Sequence, residues 1–182
     1  IHKELIREIG NKNKEGQYCF AHLHCSYAHN DVVEEFIKKY KKDEAEFYNN
    51  VERNKEVYKK SLQKVEDYLK EITQALEEHN LVENSTIIFF SDHGTSVGEK
   101  RGERAYGTFL YEYSLRTFCL MVDKEIFPVQ RIDAMVRNID IAPTIMEMLG
   151  IREDKRFMKI DGASLLEFTD TTKKPAERIA CA

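Results

Sequence analysis

Two clusters of residues in this chain could do chemistry. The first is Asp92-His93-Gly94, where the apolar run of "IIFFSDHG" meets an acid and an imidazole. A carboxylate beside an imidazole can hold a divalent cation. The mixed oxygen and nitrogen set suits Zn, Mn or Fe, and oxygen-rich surroundings would favour Ca or Mg. The pair follows a run that reads as a buried strand, and in open α/β sheets ligand sites lie beyond the carboxyl ends of the strands. The plainer alternative for the dipeptide alone is an Asp that caps a turn beside a solvated His. Gly94 reads as the permissive residue that lets the backbone turn away.

The second cluster is "AHLHCSYAHND", which holds His22, His24, His29 and Asp31. A step of two places His22 and His24 on one face of a short strand, Gln17 to His24. His29 then falls in a polar loop past the strand end, where a general acid would stand to protonate a leaving group. The alternative, a packed and hydrogen-bonded histidine, suits His22 better than His29.

The elements that must position these clusters are legible from periodicity. Tyr58, Leu62, Val65, Leu69, Ile72 and Leu76 recur at steps of four and three, which predicts a long amphipathic helix from Val51 to His79. A coiled coil is the weaker alternative, because a strand follows at once. "STIIFF" and "RTFCLMV" read as buried strands. His2 to about Ile9 reads as helix, with Gly10 or Asn11 as its stop. The charged stretch "DVVEEFIKKYKKDEAEFYNN" is helix-like. Ile132 to Leu149 predicts helix broken near "NIDIAPT", with Asp140 as N-cap, Pro143 in the first turn and Gly150 as the stop. Helices alternating with strands place the chain in the α/β class, a sheet with flanking helices.

The totals set bounds. A chain of 182 residues suits one domain, and the formal net charge of −4 gives no electrostatic reason to expect nucleic acid. No apolar run reaches the roughly 20 residues of a membrane span. The start carries no secretory signal pattern. The first residue is Ile, so the chain is expected to be a trimmed or partial one. Cys19, Cys25, Cys119 and Cys181 form no Cys-x-x-Cys pair, which argues against a zinc knuckle. Their scatter fits reduced, mostly buried thiols and a cytoplasmic location.

Five segments in order resemble the sulfatase family, within the alkaline phosphatase superfamily. "IIFFSDHGTSVGEK" is similar to its metal-binding segment and "HLHCSYAHND" to its upstream histidine segment. "YEYSLRTF" resembles its Tyr-Glu-x-x-x-Arg stretch. "NIDIAPTIMEMLGI" and "DGASLLEF" resemble the two segments that follow. The resemblance implies part of an alkaline-phosphatase-like three-layer sandwich over residues 1–168, followed by an extension at 169–182 that is expected to be poorly ordered. It implies Asp92 and His93 as metal ligands, His29 as the active-site acid and His24 as a neighbour supporting the substrate site. The metal would be Ca for sulfate esters, or Mn or Zn for phosphoesters.

Two departures from the family pattern matter. The family's substrate-binding Lys before Tyr-Glu is absent from "RAYGTFLYE", where Tyr106 or Gly107 stands instead. Lys100, Arg101 or Arg104 could supply the charge, and a solvated basic loop is the alternative. No cysteine lies in the Cys-x-Pro-Ser-Arg setting that yields formylglycine, so the nucleophile is expected upstream of the matched part. The expectation is a fragment of a metal-dependent hydrolase of small or sugar sulfate esters, inactive in isolation. The alternatives are a phosphodiesterase or phosphotransferase of the same superfamily, and a non-catalytic module self-associating through the 51–79 helix as a homodimer.

Overall fold

The computed structural model describes residues 2–31, 34, 48–106, 109–152, 159–170 and 172. The chain forms two compact units, one of Ile1–Ile87 with His93–Arg116 and one of Ile88–Asp92 with Thr117–Ala182. Most of the charged 31–50 stretch and most of the 169–182 extension lie outside the described residues.

The first unit is built on two helices, α1 (His2–Lys14) and α2 (Val51–Glu78). Asn50 starts α2 by accepting the Arg53 main-chain N–H at 3.2 Å, which satisfies one of the unpaired donors of the first turn. Ile72 and Ala75 of α2 pack with Ile6 of α1 and with Leu81 to form the core of this unit. Truncating Ile72 to Ala here would cost about 2–5 kcal/mol. The Tyr68 hydroxyl adds a 2.6 Å hydrogen bond to His2 Nδ1 across the same helix pair.

Helix α1 runs beyond the expected stop at Gly10. A Cβ on Gly10 would sit 3.0 Å from His79 Cβ, so this glycine serves close packing at a helix crossing and does not end the helix. The buried line of α2 also departs from the apolar stripe. It passes through Asn54 and Ser61, both fully buried, while Leu62 is exposed. Asn54 Nδ2 donates to the Val97 carbonyl at 3.0 Å, and the Ser61 hydroxyl donates to Asp31 Oδ2 at 2.8 Å. Polar side chains with defined partners thus take places that a hydrophobic count assigns to leucine.

Residues 17–24 form no strand, and Tyr18 and Phe20 stand exposed. A strand needs a neighbour for its N–H and C=O groups. Among the described residues the sheet has two strands, β1 (Ile87–Phe90) and β2 (Cys119–Val122), paired with each other. The expected polar loop after His24 is instead a helical turn at 27–31, in which the Asn30 N–H donates to the Ser26 carbonyl at 2.9 Å. His22 is exposed.

The second unit contains the sheet, a 3-10 turn (Asn138–Asp140), helix α4 (Ile141–Met148) and a 3-10 turn at Leu165–Thr169. The short helix α3 (Glu112–Leu115) lies between the strands in sequence and belongs to the first unit. The strands are less buried than their apolar runs suggest: Phe90, Leu120 and Val122 are exposed. So are Cys19 and Cys119, against the expectation of buried thiols. Helix α4 starts at Ile141 and not at Ile132. A helix continuing from upstream would need a Pro143 N–H for the Ile139 carbonyl, which proline lacks. Gly150, at φ 67°, ends the segment as expected.

Asp140 flanks α4, yet its carboxylate does not cap that helix. It is fully buried, accepts the Arg137 and Ala163 N–H groups at 2.9 Å each, and pairs with the Arg137 guanidinium at 2.9 Å. The "NIDIAPT" and "DGASLL" segments are thereby tied together. A Cβ on Gly162 would fall 2.0 Å from the Ile139 carbonyl oxygen, so only glycine allows this approach.

Candidate metal and acid site

Strand β1 ends at Phe90, and the next two peptide groups are gripped from within their own unit. The Asn138 side chain donates through Nδ2 to the carbonyls of Ser91 and Asp92, at 2.9 Å each. Its Oδ1 accepts from the Thr117 hydroxyl at 3.1 Å. Ser91 and Phe118 exchange two further bonds at 3.2 Å each, one through the Ser91 main-chain N–H and one through its hydroxyl. The main chain at Asp92 is therefore fixed, while the residue itself is exposed.

His93 begins the next stretch of the first unit. Its Nδ1 lies 2.7 Å from the Gly94 carbonyl oxygen. A carbonyl only accepts, so Nδ1 carries a proton, and in the neutral ring the lone pair is then on Nε2. That tautomer is the one in which an imidazole ligates through Nε2, with its other nitrogen held by a carbonyl. Gly94 donates its N–H to the Ser114 carbonyl at 2.9 Å, and a Cβ there would meet the Tyr113 carbonyl oxygen at 2.1 Å. The glycine after Asp-His is required by this close approach and not by a left-handed backbone turn.

His29 sits on the helical turn after Ser26. Its Nδ1 lies 2.5 Å from the Tyr106 hydroxyl, and the Tyr106 ring stacks on His93 with centroids 4.1 Å apart and planes inclined by 39°. His29 and His93, separate motifs in sequence, are thus joined through one tyrosine within one unit. His24 lies exposed in the irregular segment before that turn.

The basic candidates divide. Lys100 is exposed and holds Nζ 5.7 Å from the Tyr111 ring centroid, within cation–π range. Arg101 is exposed in the same turn. Arg104 is buried, and its Nη1 donates to the Ser96 carbonyl at 2.9 Å, supporting the Ser96–Ala105 bridge. Beside it Glu103 is also buried and accepts the Tyr113 hydroxyl. Desolvation, and then this bond to Glu103, push the Tyr113 phenol well above its ordinary value.

Among the described residues, no three His, Cys, Asp or Glu side chains converge as a complete cation site. Each within its own unit, Asp92 offers an exposed carboxylate and His93 an imidazole whose Nδ1 is held by a carbonyl, and both donor types suit a divalent cation. Two members of the site were not singled out by spacing. Asn138 lay inside a recognised motif without an assigned role. Tyr106 was marked only as standing near a missing lysine.

The family model Sulfatase matches residues 1–151. Arylsulfatase K of Xenopus laevis is 33% identical over 98 residues, which cover 54% of this chain and 17% of that protein. The choline-sulfatase of Rhizobium meliloti (strain 1021) is 26% identical over 152 residues, covering 84% of this chain and 26% of that protein. The chain thus spans about a quarter or less of these relatives' length. The crystal structure of yidJ from Bacteroides fragilis superposes with a TM-score of 0.66 at 22% identity, covering 96% of this chain and 41% of that one. A likeness at this identity shows the fold, which is the alkaline-phosphatase-like α/β arrangement that the motifs implied.

Proposed function

The chain belongs to the Sulfatase family, and we propose that it supplies the proton donor and part of the metal site of a sulfuric ester hydrolase. The observation that carries this reading is the family match across residues 1–151, which spans His29, Asp92 and His93 together. His29 is the acid for the leaving oxygen, and Asp92 and His93 are cation ligands. A bound divalent cation would polarise the sulfuryl oxygens and help to activate the nucleophile. We take Ca as the cation, since the family chemistry is sulfate-ester cleavage.

No cysteine of the 182 residues lies in Cys-x-Pro-Ser-Arg, and the attacking group is taken to be supplied by the rest of the full-length protein. The 182-residue chain alone is proposed to have no turnover. The names of the relatives point to two ester classes for the whole protein, an aryl sulfate and choline sulfate. The self-association alternative has less support, because Ile72 and Ala75 of the 51–79 helix are already buried against α1.

The test uses the full-length protein with Ca, assayed on nitrocatechol sulfate, choline sulfate and a nitrophenyl phosphodiester. Sulfate release is expected, and Asp92→Ala should lower it more than about 100-fold, beyond the range typical of groups behind the ligands. Preferential hydrolysis of the phosphodiester would replace this reading with the phosphoester one. Sulfate release unaffected by Asp92→Ala would remove Asp92 from the site.

A further inference from the structure

We propose that Tyr106 is the positioning residue of the acid, dedicating His29 Nε2 to the leaving group through its bond to Nδ1. The inference rests on the hydrolase reading for its chemistry, and on three residues of one unit for its geometry.

The Tyr106 hydroxyl lies 2.5 Å from His29 Nδ1. A phenol both donates and accepts, so it serves either charge state of the imidazole. When His29 is neutral, the phenol donates to Nδ1 and the ring proton resides on Nε2. When His29 is an imidazolium, Nδ1–H donates to the phenol oxygen and Nε2–H remains for the substrate. Nδ1 is engaged in both cases, and the nitrogen that meets the ester is always Nε2.

The chemical step balances on that atom. An oxygen nucleophile of the whole protein bonds to sulfur as the bond from sulfur to the ester oxygen breaks. The bonding pair leaves with the ester oxygen, which takes the proton from Nε2 of the imidazolium. His29 is first left neutral with its remaining proton on Nδ1, donated to the Tyr106 oxygen; Nε2 then takes a proton from solvent as Nδ1 releases one and the hydroxyl turns to donate, which restores the resting tautomer. A side chain that could only donate would lose its bond at this point; the phenol keeps it.

The same ring is stacked on His93 at 4.1 Å, with planes inclined by 39°. Its centroid is 5.7 Å from that of His29. Tyr106 is half-buried, whereas His29 is exposed. An exposed imidazole on a short helical turn has many rotamers open to it, and a half-buried phenol bonded to one nitrogen selects among them. Tyr106 thus places the acid relative to the imidazole assigned to the cation.

The experiment compares full-length wild type with Tyr106→Phe on two sulfate esters. Nitrophenyl sulfate has a leaving group that departs without a proton, and an alkyl sulfate needs one. Tyr106→Phe is expected to lower kcat on the alkyl ester about 10- to 100-fold while changing the aryl ester less than about threefold. Equal losses on both esters would overturn the proposal, since a general loss of packing does not distinguish leaving groups. In parallel, 15N NMR of histidine-labelled wild type, assigned with His29→Gln, should show a neutral His29 protonated on Nε2. That signature should be lost in Tyr106→Phe, and a Nδ1-protonated neutral ring in wild type would also overturn the proposal. If wild type cleaves neither ester, the hydrolase reading fails, and the tautomer measurement still decides the Tyr106–His29 relationship. The wild-type spectrum answers even if the variant does not fold.

Discussion

Asn138 holds Asp92 by its main chain and not by its carboxylate: the amide of Asn138 donates to the Asp92 carbonyl at 2.9 Å and to the preceding Ser91 carbonyl at the same distance. A carboxylate is aimed by the peptide it hangs from. One side chain therefore fixes the end of β1 and orients the acid without touching it.

Asn138→Ala should leave two carbonyls and the Thr117 hydroxyl without this partner. The expected cost is about 1–3 kcal/mol of stability, read by urea denaturation. Calcium affinity of the full-length protein should fall about 10- to 100-fold, read by calorimetry, as for groups behind a ligand. Asn138→Asp should be worse, because a carboxylate would face the same two carbonyls. Unchanged calcium affinity in both variants would show that Asn138 does not aim Asp92.

Gly94→Ala places a methyl group 2.1 Å from the Tyr113 carbonyl oxygen, an approach that flexible side-chain motion cannot relieve. We expect this smallest of substitutions to cost more than about 3 kcal/mol, in the range reserved for strain and overpacking. A melting temperature within 2–3 degrees of wild type (a shift of roughly 1 kcal/mol or less for a domain of this size) would contradict the packing described at this turn.

Asp140 and Gly162 make one joint between two motifs. Asp140→Ala leaves the partly buried Arg137 guanidinium without its carboxylate, and should cost about 3–5 kcal/mol by the general behaviour of broken buried pairs. Gly162→Ala should be comparably damaging, since the added carbon would lie 2.0 Å from the Ile139 carbonyl oxygen. The two residues act on the same joint, so the double variant should lose less than the sum of the singles. Strict additivity in denaturant titrations would mean that they act independently.

Tyr113 gives the fold a dependence on alkaline pH. Its folded phenol is held above the ordinary value near 10, first by desolvation and then by the bond to Glu103. The unfolded chain loses this proton first as pH rises, so the contribution is complete below about 10 and is lost towards the raised folded value. Wild type should therefore lose stability between about pH 9.5 and 11 more steeply than Tyr113→Phe. Parallel curves for the two proteins, followed by circular dichroism, would remove Tyr113 as the source.

The outline of the fold was legible because its signals are local. The helix from Val51 appears within one residue of its expected end, at Glu78 with His79 as cap. β1 and β2 fall within their apolar runs, and Pro143 and Gly150 bracket α4 as their backbone chemistry requires. The expected strand at 17–24 failed on non-local grounds: alternation describes a face, but a strand exists only where another strand takes its hydrogen bonds. The buried line of α2 slipped for a related reason. Asn54 and Ser61 are interior because Val97 and Asp31 are there to meet them, and no hydropathy pattern can report a partner 43 or 30 residues away.

The candidate site divides in the same way. From the sequence alone came the residue types, their order and their place at strand and turn ends, which sufficed for Asp92, His93 and His29 as candidates and for the family resemblance. Only the tertiary structure brought His29 to Tyr106 across 77 positions and Asn138 to Asp92 across 46. Motifs record which side chains a chemistry needs. The residues that orient them are selected by distance and hydrogen-bond direction in the folded chain, and neither quantity is written in one-dimensional spacing.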